Sequence, residues 1–157
     1  MARGNGASSD LAVFRWGRRG SGPSSLRSRR AIPKSAVGGW LWPVSSHKLN
    51  SRWGDGRGHK GIDIAASTGE PVHAAKAGAV KSAGSAGAYG LLVVLDHNGT
   101  ETAYAHLSAL LVRPNQTVEQ GEVIGRAGCT GRCSGTHLHF EIRPGGVAVN
   151  PLPYFAG

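Results

Sequence analysis

The stretch His137-Leu138-His139-Phe140-Glu141 alternates polar with apolar residues and follows a loop rich in glycine and serine. Successive side chains of a strand point to opposite faces, so the pattern predicts a strand with both histidines and Glu141 on one face. Leu138 and Phe140 would lie on the other face, which we expect to pack in the core. Two imidazoles side by side above a sheet can address one metal ion together with its bound substrate.

Two further stretches contain histidine, namely His59-Lys60-Gly61-Ile62-Asp63 and Tyr104-Ala105-His106-Leu107. Glycine is a poor interior helix former, so the first is predicted to be an extended or looping segment entering a strand, with its histidine and aspartate directed at one point. In the second, the tyrosine and the histidine are expected to share one strand face. Each stretch alone is explained by an exposed turn or a structural histidine, but three together favour a functional site.

The three stretches supply four histidines and one aspartate, a set that suits zinc chemistry. Imidazole and carboxylate are the ligands that zinc takes in catalytic sites. Such sites use three protein ligands and keep a position open for water. Two histidines would then be left for handling protons and charge.

The segment from about Trp40 to Tyr154 resembles the lysostaphin-type zinc endopeptidases, also called the LytM or peptidoglycan DD-metallopeptidase-like family. The resemblance rests on three motifs in order, H-x-x-x-D, Y-x-H-L and H-x-H-F-E, which occur here as HKGID, YAHL and HLHFE. Shorter supporting matches are Trp42-Pro43-Val44, Ala65-Ala66, Gly69-Glu70-Pro71-Val72, Ala88-Tyr89-Gly90 and Gly121-Glu122-Val123-Ile124-Gly125.

By this resemblance, His59, Asp63 and His139 would bind one zinc ion, and His106 and His137 would be catalytic histidines beside it. The resemblance also implies hydrolysis of peptide bonds in bacterial peptidoglycan, either in glycine-containing cross-bridges or at D-alanyl links of the stem peptides. One histidine would help to deprotonate the attacking water or hydrogen-bond the developing oxyanion, and proton delivery would free the amine. The sequence does not divide these tasks between the two histidines.

Two interpretations of Glu141 stay open at this stage. Because it lies on the histidine face, it could fix the tautomer of a metal-binding imidazole. Alternatively it is a structural carboxylate paired with a nearby cation such as Arg143.

The two cysteines, Cys129 and Cys133, also allow two interpretations. One is a disulfide bracing the loop before His137, which suits an oxidising compartment. The other is a Cys2His2 metal cluster with His137 and His139, which leaves the remaining motifs without a purpose. The family commonly has small or hydroxyl residues in this loop, so the pair is a departure from its pattern.

Short apolar stretches alternate with turn signals, and helical periodicity is nearly absent, so we predict a mainly β, compact antiparallel β-sheet or sandwich-like domain with an active-site groove. The family's fold is of that kind. The dipeptide Asn98-Gly99 predicts a hairpin, and Ser108–Val112 is the one stretch expected to turn helically. Tyr89, Tyr104 and Gly135-Thr136 are candidate walls or floor of the groove, or else core and turn residues. The predicted strands are Val72–Ala75, Ala79–Ser82, Leu91–Asp96, Glu101–Leu107, Glu122–Gly125 and Leu138–Arg143.

Charge divides the chain into a basic arm, residues 1–38, and an endopeptidase domain, residues 39–157. The arm holds eight of the eighteen Lys and Arg residues but one acid, whereas the remainder is nearly balanced. Its Gly-, Ser- and Arg-rich composition predicts disorder. A solvated tail or linker is the plainest explanation, and anionic wall polymers are candidate partners. Nucleic acid is not expected as a partner.

The family implies an extracytoplasmic location, whether secreted, in the cell wall or in the periplasm. We find no apolar h-region of a signal peptide in residues 1–38 and no transmembrane stretch, and we expect a monomer. Two alternatives to the enzyme are a non-catalytic relative that binds cell wall or regulates another hydrolase, and a lipoyl- or biotinyl-type carrier. Non-catalytic relatives typically lose metal ligands, and a carrier needs a lysine at its hairpin tip, where this chain has Asn98-Gly99.

Overall fold

The computed structural model describes residues 39–56 and 58–155. The predicted basic arm, residues 1–38, lies outside these described residues. Within them, no helix is both long and apolar enough to cross a bilayer. The strands are β1 (Leu49–Ser51), β2 (Ile62–Ala65), β3 (Pro71–His73), β4 (Gly78–Ser85), β5 (Leu91–Asp96), β6 (Thr100–Leu110), β7 (Thr117–Val118), β8 (Val123–Ala127) and β9 (His137–Pro144), with short 3-10 helices at Gly87–Tyr89 and Leu152–Tyr154.

The strands form one antiparallel sheet in the order β1-β2-β9-β6-β5-β4-β7. Strand β8 pairs with β3 and with the C-terminal part of β6. The predicted mainly antiparallel β fold is therefore confirmed. At the β5–β6 hairpin, Asn98 and Gly99 both have positive φ, 59° and 102°, as a two-residue turn of the primed type requires.

The main core lies on one face of the central strands. Ile62, Tyr104 and Phe140 are fully buried there, on neighbouring strands β2, β6 and β9. The Tyr104 hydroxyl accepts hydrogen bonds from the Ala75 amide and the Thr102 hydroxyl, both at 2.9 Å, so its burial leaves the polar atom satisfied. Residues next to these in each strand point to the opposite face of the sheet.

All six predicted strands exist; Leu91–Asp96 agrees at both ends, and the boundaries of the others are shifted by one to three residues. The helical turn predicted over Ser108–Val112 is wrong, because Ala109 and Leu110 pair with β8 as the end of β6. The short strands β1 and β7 are absent from the sequence-based prediction. They are two or three residues long and depend on pairing with β2 and β4 rather than on an apolar run of their own.

Candidate metal centre and its cleft

A cleft of about 800 Å³ crosses the face of the sheet opposite the main core. Residues from all three histidine-containing motifs meet in it, although His59 and His139, for example, are eighty positions apart in the chain. Its lining is completed by the 3-10 helix before β5 and by the loop before β9. The lining residues are Gly58, His59, Lys60, Asp63, Ala88, Tyr89, His106, Arg132, Cys133, Ser134, His137, His139 and Glu141.

Three of the predicted site residues, His59, Asp63 and His139, form a compact cluster whose ligand atoms all lie within 4.8 Å of one another. Strand pairing places Asp63 directly opposite His139, with the carboxylate Oδ1 2.9 Å from the imidazole Nδ1. His59, from the turn before β2, brings its Nε2 to 3.2 Å from His139 Nδ1 and 3.3 Å from Asp63 Oδ1. We call these three residues the ligand trio.

Gly61 allows the segment that holds His59 to approach β9 this closely. A Cβ atom at this position would collide with the Phe140 carbonyl oxygen and would lie 2.8 Å from Glu141 Cγ and 3.1 Å from His139 Cε1. The absence of a side chain at Gly61 is therefore needed for the three residues of the trio to meet, and it is not a requirement of the local turn.

Hydrogen bonds determine which nitrogen of each imidazole is open to a metal. His59 Nδ1 donates to the Arg52 carbonyl at 3.0 Å, which leaves Nε2 directed at the cluster. His139 Nε2 donates to Glu141 Oε2 at 2.7 Å, which leaves Nδ1 as the nitrogen beside Asp63. Two imidazole nitrogens and a carboxylate oxygen are a set that zinc takes, with a further position left for water. The donor chemistry of the trio therefore fits zinc.

Glu141 is almost completely buried and has three partners, so both of its predicted roles are realised in the contacts. One carboxylate oxygen accepts from His139 and from the Tyr89 hydroxyl, at 2.7 and 2.8 Å, and the other accepts from Arg143 Nε at 2.8 Å. Burial alone would raise the pKa of Glu141, but the hydrogen bonds from His139, Arg143 and Tyr89 lower it to about 2. The carboxylate stays charged and oriented at any pH where the protein is expected to work.

The same contacts act on the ligand trio. Burial alone would lower the pKa of His139, but its hydrogen bonds to Asp63 and Glu141 raise it to about 9. Burial also opposes ionisation of Asp63, yet the hydrogen bond from His139 and the other histidines nearby hold its pKa below the ordinary value. Without metal, His139 therefore carries a proton on Nδ1, which a metal ion would replace.

The structure places His106 and His137 beside the trio, as a second group that we call the histidine pair. Their ring centroids lie 4.9 Å apart, and His137 Nε2 is 3.5 Å from Asp63 Oδ1. Both use Nδ1 to donate to backbone carbonyls, His106 to Thr130 at 2.8 Å and His137 to Gly135 at 2.7 Å. Their Nε2 atoms are thereby left for the cleft. Burial lowers the pKa of His106, which favours its neutral form.

The prediction that Tyr104 and His106 share a strand face is wrong, and of the two interpretations of Tyr104, groove wall or core, the core is the one found. Tyr104 lies in the main core, whereas His106 lines the cleft. A register shift explains the difference, because β6 has one residue more than β5 between the pairs Leu91–Leu107 and Val93–Tyr104. His106 lies in this bulge with φ of 62°, a left-handed conformation that costs a non-glycine residue about 1–3 kcal/mol.

Cys129 and Cys133 form a disulfide within the loop before β9. The disulfide interpretation is therefore the one found, and the alternative Cys2His2 cluster is wrong, because both sulfurs are engaged with each other. Cys133 Sγ nevertheless lies 3.7 Å from His137 Nδ1, so the bridge borders the histidine pair.

Several contacts that shape the site have no counterpart in the sequence-based prediction. The carbonyls of Arg52 and Thr130, which orient His59 and His106, belong to backbone and carry no side-chain signal. Tyr89, a candidate wall residue, does line the cleft, but the sequence does not predict its hydrogen bond to Glu141. In the sequence, the two glycines Gly90 and Gly131 are the one feature that could indicate close packing between the loop and the short helix, because a Cβ atom at either position would collide with the other segment.

A family model for peptidase family M23 matches residues 57–151. The chain belongs to this family. Among curated relatives, it is 47% identical over 107 residues to the DD-carboxypeptidase/endopeptidase Mpg of Neisseria meningitidis, which is 68% of this chain and 24% of that protein. It is 44% identical over 117 residues to the murein hydrolase activator NlpD of Escherichia coli, which is 73% of this chain and 31% of that protein.

Among solved structures, the fold resembles a zinc-containing peptidase from Vibrio cholerae with a TM-score of 0.59 and 32% identity, over 74% of this chain and 35% of that one. The chain thus spans less than half the length of each of these proteins. The M23 region is shared by proteins named as an enzyme and as an activator of other hydrolases. Family membership alone therefore does not distinguish these two roles.

Proposed function

We propose that this protein is a zinc-dependent endopeptidase that hydrolyses peptide bonds in bacterial peptidoglycan. The observation that carries the proposal is the convergence of the ligand trio and the histidine pair in one cleft. His59 Nε2, Asp63 Oδ1 and His139 Nδ1 would hold one zinc ion. When bound, zinc would lower the pKa of a water molecule and polarise the peptide carbonyl.

The residues of the chain would then hold the metal and move the protons. Glu141 keeps His139 in the tautomer whose Nδ1 is open, and the Arg52 carbonyl does the same for Nε2 of His59. In this proposal the Nε2 atoms of His106 and His137 would accept a proton from the attacking water and pass one to the departing amine. A protonated histidine of the pair would also hydrogen-bond the negative charge that develops on the carbonyl oxygen.

The cleft supports a small, flexible peptide as substrate. It is a groove across a sheet, in which the rings of Tyr89 and His59 lie with their centroids 5.8 and 5.0 Å from that of His139. Glycine-containing cross-bridges and D-alanyl links of stem peptides are the two candidate bonds. Such a substrate places the protein outside the cytoplasm, with peptidoglycan as its partner.

A regulatory role is the second candidate, because one relative is named as an activator of murein hydrolases. In that case the cleft would bind cell wall or another hydrolase without cutting a bond. The complete set of five site residues in this chain favours the enzyme, since a protein that only binds has no need of the histidine pair.

The test is the loss of turbidity of purified peptidoglycan of several chemotypes, with fragments identified by mass spectrometry. We expect clearing by the zinc-loaded protein, none after chelation and none with His139→Ala. His47→Ala is the matched control, because His47 is exposed, stacks on Trp42 and lies outside the cleft lining. Stoichiometric zinc binding with every wall preparation left intact would contradict the enzyme and favour the regulator.

A further inference from the structure

The turn closed by the Cys129–Cys133 disulfide lies between the cleft and the strands that support it. Its residues are Cys129, Thr130, Gly131, Arg132 and Cys133, and we call it the disulfide turn. Arg132 and Cys133 line the cleft, so the turn forms part of its wall. No residue of the turn belongs to the ligand trio.

Thr130 connects this turn to His106 through its backbone and to the two adjoining strands through its side chain. Its carbonyl accepts the hydrogen bond from His106 Nδ1 at 2.8 Å. Its hydroxyl donates to the Leu107 carbonyl at 2.5 Å and accepts from the Leu91 amide at 3.0 Å. Leu91 and Leu107 are paired across β5 and β6 at the bulge, so Thr130 joins both strands at the place where His106 leaves the regular strand pattern.

Two glycines let the turn lie this close to the strands. A Cβ at Gly90 would collide with the Thr130 backbone, and a Cβ at Gly131 would collide with the Gly90 amide nitrogen. The Arg132 amide also donates to the Ala88 carbonyl at 2.8 Å, which ties the turn to the short helix that carries Tyr89. The turn is therefore seated by contacts at several points along its length.

The far end of the turn borders the other member of the histidine pair. Cys133 Sγ lies 3.7 Å from His137 Nδ1, the nitrogen that donates to the Gly135 carbonyl. Gly128, just before the turn, forms a β-bridge with His137. Both histidines of the pair are thus supported by the turn or by its immediate neighbours.

We propose that the disulfide turn positions the histidine pair, with Thr130 as a positioning residue for His106, and that it has no part in holding the metal. His106 occupies a left-handed conformation in a bulge, and such a conformation persists only when surrounding contacts over-determine it. The disulfide supplies part of this restraint by limiting the conformations of a five-residue turn. The effect on catalysis rests on the proposed function, whereas the effect on the His106 imidazole does not.

The test compares Thr130→Val, Thr130→Ser and the double variant Cys129→Ser/Cys133→Ser with the unaltered protein. Valine keeps the carbonyl and the shape but removes the hydroxyl that anchors the turn, whereas serine keeps the hydroxyl. Thr117→Val is the matched control, since Thr117 is an exposed strand residue outside the cleft lining. Replacing both cysteines, rather than reducing them, avoids creating thiols that would compete for zinc beside His137.

Three kinds of measurement are made on each protein. The first is zinc affinity, and the second is the kinetics of hydrolysis (maximal rate and half-saturating concentration) on a wall preparation that the unaltered protein clears. The third is the set of ¹⁵N signals of the imidazoles. The His106 signals are assigned with His106→Gln. We expect zinc affinity within about 3-fold of the unaltered protein and a maximal rate lower by about 10- to 100-fold in Thr130→Val and in the double variant. The His106 signals should lose the pattern of a fixed Nδ1–H tautomer, and Thr130→Ser should restore both readouts.

Unchanged His106 signals and an unchanged maximal rate in Thr130→Val and the double variant would overturn the proposal. A parallel loss of zinc affinity and rate would also overturn it, because the turn would then support the metal site in general. If the unaltered protein clears no wall preparation, the proposed function fails, and the imidazole signals with zinc affinity alone decide whether the turn positions His106.

Discussion

The ligand trio and the histidine pair lie in the same cleft but are held in different ways. Asp63 and His139 face each other across regular β2–β9 pairing, and Gly61 lets His59 join them. His106 lies instead in a bulge, and both members of the pair are oriented by carbonyls outside regular pairing, those of Thr130 and Gly135. It follows that Asp63 and His139 of the trio depend on strand register, whereas His106 of the pair depends on contacts with a loop.

This division predicts that changing a residue of the histidine pair lowers the rate of hydrolysis and leaves zinc binding by the ligand trio intact. We expect His106→Gln and His137→Gln each to lower the maximal rate of wall hydrolysis by about 10²- to 10⁴-fold, because in the proposed function each removes a group that moves a proton. Zinc content should stay at one per chain, because neither residue belongs to the trio. Metal analysis beside turbidity measurement checks this prediction, and loss of zinc from either variant would remove the distinction between the two groups.

Support for the trio can be weakened without removing a ligand. Glu141 accepts from His139 with one carboxylate oxygen and from Arg143 with the other. In Glu141→Gln one of these oxygens becomes an amide nitrogen, which donates and cannot accept, so one of the two hydrogen bonds is lost. We expect zinc affinity to fall by about 10- to 100-fold, the usual effect of losing a partner that orients a metal-binding histidine. Competition with a chromophoric chelator measures the affinity, and a value equal to that of the unaltered protein would show that register alone orients His139.

The sequence predicts the direction of side chains in regular strands and fails at the bulge. Alternation in β9 correctly places His137, His139 and Glu141 on the face opposite Phe140, because side-chain direction in a regular strand follows from residue count. The same rule fails for His106, since a bulge adds one residue and reverses the count. Nothing local in Tyr104-Ala105-His106-Leu107 marks the bulge, which depends on contacts with a turn more than twenty residues away.

The role of Gly61 in bringing the trio together can be tested by adding one methyl group. Gly61→Ala should lower the free energy of unfolding by about 1–3 kcal/mol, because the Cβ collides with the Phe140 carbonyl and crowds Glu141. Gly84→Ala is the control, since Gly84 lies in β4 and a Cβ there would meet no other atom within 4 Å. Urea unfolding of both variants checks the prediction, and equal stabilities would mean that the approach of the His59 segment is not tight.

The charge on Glu141 should also be visible in the stability of the metal-free protein. Its pKa of about 2 lies below the ordinary value of 4.5, so its contribution is fully present above about pH 4.5 and is lost as pH falls toward 2. His139, with a pKa of about 9, stays protonated throughout that range and does not contribute to the change. We expect a loss on the order of 1–2 kcal/mol between pH 5 and pH 3, measured by urea unfolding in chelator. Glu141→Gln should show a smaller loss, and the same slope in both proteins would contradict the assignment.

The most direct test of the division between trio and pair is the position of zinc itself. Crystals of the zinc-loaded protein, measured at the zinc absorption edge, would locate the ion by its anomalous signal. We predict one peak per chain, bonded at about 2.0–2.2 Å to His59 Nε2, an Asp63 carboxylate oxygen and His139 Nδ1. The nitrogens of His106 and His137 should lie beyond bonding distance. A zinc ion bonded to either histidine of the pair, or held without one of the trio, would contradict this account.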